Sequence, residues 1–207
     1  MTDRRWESLT GIVGVGLTTA ALALPGPPPK ASDSAASMQA MLVQHRGAFV
    51  GGLLVASLGL TALLWFIGVI AAVVRRHDSA DSASSTVALA GGLAGVLLMF
   101  VGMVVFSGTA FRVAGLGNQV VVRAFVDTGN MLIETSKFGL AVLIFATCQA
   151  GAMSGCLPKR VVAAGRASGA LLVLSAFPTF LTDHGVGQIG GPIDLAVARQ
   201  QDGTTLS

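Results

Sequence analysis

The chain has 207 residues, 53% of them hydrophobic and only 11% charged, with a mean hydropathy of +0.75 and a net charge of +3. A soluble domain carries about 25% charged residues, so this composition belongs to the membrane class. The small, scattered positive charge leaves no dense basic patch, which excludes a nucleic-acid partner. Tyr is absent and there are two Trp, so any aromatic belt is thin.

Five apolar segments, taken in chain order, compare with the roughly 20 residues that a bilayer span needs. The first, about 8–26, follows Arg4 and Arg5 and ends at "PGPPP". Proline lacks the amide proton that a helix requires and stops it there. With "ALA" at 21–23 the segment also has the outline of a signal peptide; a retained first helix is the expectation. Next, "SDSAASMQAMLVQHR" offers Ser32 or Ser34 as an N-cap. Met38, Met41, Leu42 and His45 then follow helical spacing. The reading is an outer helix over 34–46, either continuous with the second span or breaking at Gly47.

The second span, 48–74, is uncharged and ends at "RRHD"; the third, 85–110, ends near Arg112. The fourth, 129–154, has only a short strongly apolar part, from Phe138 to Met153, and must recruit the residues before it. The fifth covers 161–181. A Gly-rich tail, 182–207, follows, with a short helix expected from Pro192 to Gln200. Lys and Arg orient the spans: Arg4, Arg5, Arg75, Arg76, Lys159, Arg160 and Arg166 flank one side, and Lys30, Arg46 and Arg112 the other. By the positive-inside rule the N-terminus is cytoplasmic and the tail outside.

Chemical motifs are few. "GVGQIG" at 185–190 matches the dinucleotide fingerprint but lacks the strand and helix that would aim backbone amides at a pyrophosphate. Gly47/Gly51, Gly91/Gly95, Gly151/Gly155, Gly165/Gly169 and Gly187/Gly191 have the spacing that lets helices approach closely, at about the frequency that so many glycines produce by chance. His45, His77 and His184 lie outside the apolar spans, which gives haem ligation no support. Cys148 and Cys156, eight apart on one expected helix, would sit roughly 12 Å apart. That is too far for a disulfide, and they lack metal-ligand spacing. No cofactor, metal or catalytic residues are expected.

One stretch stands out. In "RAFVDTGNMLIETSK", residues 123–137, Arg123, Asp127, Asn130, Glu134 and Lys137 recur at helical steps and fall on one stripe about 80° wide. A water-exposed helix shows a minority apolar stripe on a polar body; here the pattern is inverted. A helix continuous from Gln119 to Gly155 would be about 55 Å long against a hydrocarbon core of about 30 Å. Part of the seam must then protrude, and Glu134 and Lys137 must enter the membrane edge. Arg123–Asp127 at i,i+4 and Glu134–Lys137 at i,i+3 can neutralise each other. The seam is thus read either as two ion pairs anchoring the outer helix or as a polar pathway or pocket, with Asp127 and Glu134 as proton or cation groups.

"LVQHRGAFVGGLLVASLGLTALLWFIGVIAAVVRR" (42–76), "RAFVDTGNML" (123–132), "LPKR" (157–160) and "GGPIDL" (190–195) resemble bacterial multi-pass membrane proteins that form a family of unknown function. The resemblance implies a helical membrane bundle and brings no catalytic residues. Members continue past a "GGP"-like turn into another span, whereas this chain reads "RQQDGTTLS". The expectation is an all-α integral membrane bundle of about five spans with outer helical extensions. It is read as a non-enzymatic accessory or scaffold component of the cell envelope in the bacterial inner membrane. The alternative is a small transporter or ligand-binding protein that uses the seam. Membrane lipids and other membrane subunits are the expected partners.

Overall fold

The computed structural model of the chain describes residues 3–26, 33–77 and 83–181. Every regular element among them is helical: α1 (Asp3–Ala23), α2 (Ala35–Gln44), α3 (Arg46–His77), α4 (Ser84–Gly108), α5 (Gln119–Met153) and α6 (Lys159–Leu181). Four helical stretches are long and apolar enough to cross a membrane: Arg46–Arg76, Ser84–Leu116, Gln119–Met153 and Lys159–Phe177. The apolar part of α1, Leu9–Ala23, is shorter. The tail with its glycine motif and His184, and the residue Lys30, lie outside the described residues.

Neighbouring helices run antiparallel, and close approach of small residues sets their register. A Cβ built on Gly139 of α5 would sit 2.5 Å from the Gly95 backbone nitrogen of α4. One on Gly102 would sit 3.0 Å from the Gly129 carbonyl. Here the backbones themselves are in contact, which only glycine permits. The Gly91/Gly95 pair therefore has a partner, found in α5 of the same chain. The α1–α3 pair is built alike: a Cβ on Gly59 would meet the Thr18 backbone nitrogen at 2.8 Å, and one on Gly52 the Ala21 carbonyl at 3.0 Å. Gly165 of α6 packs over Cys148, whereas Gly47 and Gly51 face open space. Cys156 lies just past the end of α5 instead of on it, and both cysteines are free thiols.

Two apolar clusters follow from this register. One runs along the bundle and includes Ala56, Leu60, Ile67, Ala88, Val96 and Leu143. The other sits at one end, where Met38 and Leu42 of α2 pack with Phe49, Phe106, Val122 and Val126. α2 is N-capped by Ser34, whose Oγ accepts from the Ser37 amide at 3.2 Å. The helix breaks at His45, two residues before Gly47. Gln39 Nε2 donates to the Ala114 carbonyl at 2.8 Å and ties α2 to the end of α4. There α4 loosens into a π turn, Thr109–Val113, and a 3-10 turn, Ala114–Leu116. Gly117, at φ 77°, reverses the chain in a backbone region that disfavours side chains. Asn118 then caps α5, accepting from the Val121 amide at 3.2 Å.

Candidate functional site

All five seam residues lie on one flank of α5 and are half-buried. The face beside them, Val122, Val126, Gly129 and Ser136, is buried against α4 and α2. The seam therefore borders the packed face instead of lying under it. Both expected pairs form. Arg123 Nε is 3.7 Å from Asp127 Oδ2, with side chains 22% and 45% exposed. Lys137 Nζ donates to Glu134 Oε2, both side chains about a quarter exposed.

The two halves of the seam differ in what they face. Asn130 and Glu134 line a half-open pocket of about 270 Å³ between the helices. Its remaining walls come from Leu22, Pro25 and Gly26 at the end of α1, Phe49 and Leu53 of α3, and Met103 and Phe106 of α4, among others. Phe49 and Phe106 stack across the α3–α4 side, with ring centres 6.4 Å apart and planes 8° from parallel. Ser107 also reaches the cavity, but its hydroxyl donates to the Phe49 carbonyl at 3.0 Å. Arg123, Asp127 and Lys137 do not line it.

Within this apolar chamber two polar groups retain bonding capacity. Among the described residues Asn130 has no side-chain hydrogen-bond partner; its carboxamide carries two donors and one acceptor. Glu134 gives one oxygen to Lys137, and a carboxylate has acceptor positions beyond that one. The arrangement suits recognition of a small molecule with an apolar body and a donor group. It contains no nucleophile held against a base. Among the described residues no group of three His, Cys, Asp or Glu could hold a metal ion.

The helix contacts give the level of this pair within the bundle. Gly95 meets the Ser136 carbonyl and the Leu140 amide, so Glu134 and Lys137 are level with the middle of α4. α5 starts farther back than its strongly apolar part, at Gln119, and its centre falls on the seam. By length and composition the four long helices suit a bilayer's hydrocarbon core, and the pair lies level with the middle of α4. A charge there costs at least about 2.5–3.5 kcal/mol on insertion scales, so pairing or a polar cavity has to offset it.

Sequence reasoning missed Pro25, Gly26 and the aromatic pair as cavity walls. The stop at Pro25 was legible, but nothing local indicates that the end of α1 lines the same pocket as the flank of α5. Compared with family models, curated proteins and solved structures, the chain matches none.

Proposed function

We propose that this is a non-enzymatic integral membrane protein that binds a small, mostly apolar molecule through a donor group held between Asn130 and Glu134. The observation that supports this reading is the pocket: apolar walls, a carboxamide with no side-chain partner among the described residues, and a carboxylate only partly used by its lysine. Binding sites for small molecules have this composition, with few polar groups on an apolar surface. The test is stabilisation of the purified full chain by medium-chain primary amines, with alkanes of matched length as controls. Amines should raise the melting temperature and alkanes should not. Asn130→Leu and Glu134→Gln should each weaken amine binding about tenfold, roughly the value of one hydrogen bond to a charged group. Asp127→Asn, outside the cavity, should bind as the parent does. Equal binding by all four proteins would remove the reading.

The arrangement in the membrane belongs to the same proposal. Arg75 and Arg76 end α3, and Lys159, Arg160 and Arg166 begin α6, which packs beside α5 at that same end. Together with Arg4 and Arg5 they support a cytoplasmic N-terminus in a bacterial inner membrane. An impermeant maleimide applied to intact cells should then spare Cys156 and label a cysteine introduced at Leu116. An accessory role in the envelope is the second reading. It is favoured by the uncovered α3 face of Leu54, Leu58 and Trp65, each 67% exposed. Recovery of the chain as a lone monomer from mild detergent would count against it.

A further inference from the structure

At the α2 end of the bundle, Arg46 opens α3 and its guanidinium carbon lies 4.3 Å from the centre of the Phe111 ring. Arg112, in the π turn after α4, has its own guanidinium carbon 6.0 Å from the same ring. Both arginines are exposed, and neither makes an ion pair among the described residues. Two cations thus lie against one aromatic ring, and among the described residues neither is paired with a carboxylate. The ring face attracts each, while the like charges repel. An anion within reach of both guanidinium groups offsets that repulsion with attraction to each.

Depth identifies the anion. Arg46 and Arg75 stand about 44 Å apart along α3 at the helical rise, and a bilayer including its headgroups is about 40–45 Å thick. With Arg75 at one headgroup level, Arg46 and the contiguous Arg112 occupy the other. The surface around them is apolar where it should meet acyl carbons. Phe111 is 47% exposed, Val43 51% and Leu116 79%. Arginine forks match phosphate oxygens bidentately.

We propose that Arg46 and Arg112, organised by Phe111, form a binding site for the phosphate of an anionic phospholipid in the leaflet at the α2 end. The chemistry recognised is a phosphate monoanion with an apolar neighbour. The acyl chains of the lipid distinguish it from free phosphate. This site is separate from the Asn130–Glu134 cavity and does not depend on the function proposed for it.

The experiment titrates the full chain in neutral detergent with phosphatidylglycerol, phosphatidylcholine or inorganic phosphate, and counts bound molecules by native mass spectrometry. Phosphatidylglycerol should bind in preference to phosphatidylcholine, and inorganic phosphate should neither bind comparably nor displace it. Arg46→Gln and Arg112→Gln should each weaken the tightest lipid site about fivefold, the worth of one basic residue at an anionic surface. The double variant should lose more than tenfold. Arg166→Gln, at the opposite end, should leave that site unchanged. Should the glutamine pair fail to fold, Arg46→Lys and Arg112→Lys together keep the charge but lose the fork, and should still weaken binding measurably. Undiminished phosphatidylglycerol binding in a folded double variant would overturn the proposal, as would inorganic phosphate binding as tightly as the lipid.

Discussion

Glu134 and Lys137 share one turn of α5, so each is the nearest means of neutralising the other. Removing one partner leaves a charge in an apolar surrounding, whereas removing both leaves none. Lys137→Met should therefore destabilise the protein by about 1–3 kcal/mol, between the values for an exposed and a buried pair. Lys137→Met combined with Glu134→Gln should recover most of that loss. Chemical denaturation in mixed micelles measures both. Arg123–Asp127 is longer and more exposed, so its loss should cost under about 1 kcal/mol. Both pairs were legible in the sequence because i,i+3 and i,i+4 partners meet on any helix, whatever surrounds it. The cavity beside Asn130 was not, because its walls come from four helices whose register depends on contacts distant in sequence.

At the scale of elements, glycine positions divide by what they face. Gly139→Leu must push apart two backbones already touching at Gly95, so it should destabilise by at least the roughly 1–3 kcal/mol of ordinary overpacking. Gly51→Ala has open space around it and should be neutral, or slightly stabilising through the helix propensity of alanine. Thermal unfolding of the two variants in one detergent separates them. Spacing alone could not make this distinction, since Gly47/Gly51 and Gly91/Gly95 look identical in the sequence. α2 shows the same limit. Its cap at Ser34 and its apolar face were readable, but its anchor, the Gln39 side chain on the Ala114 carbonyl, joins residues far apart in the chain. Gln39→Leu should cost about 1 kcal/mol. The loss should register as faster amide exchange over 35–44, with the α4–α5 core unaffected.

Taken whole, the bundle consists of antiparallel pairs in which an apolar helix backs a neighbour. α4 carries no charged residue from Ser84 to Gly108, whereas α5 carries Arg123, Asp127, Glu134 and Lys137. The sequence made five apolar segments and a helical bundle evident because hydrocarbon leaves a spanning backbone few other ways to satisfy its amides. It did not reveal which neighbour makes α5 tolerable there. The backbone contact between Gly95 and Gly139 bears on biosynthesis. A segment with four charges partitions poorly from the translocon by itself, at about 2.5–3.5 kcal/mol for each central charge. α4 precedes it by a short turn and meets it backbone to backbone at Gly95 and Gly139. The two should therefore leave the translocon together as a helical hairpin. In a glycosylation-mapped insertion assay α5 alone should integrate inefficiently and the α4–α5 pair efficiently. Gly139→Leu should return the pair toward the behaviour of α5 alone, making one glycine a determinant of topology before the protein has folded.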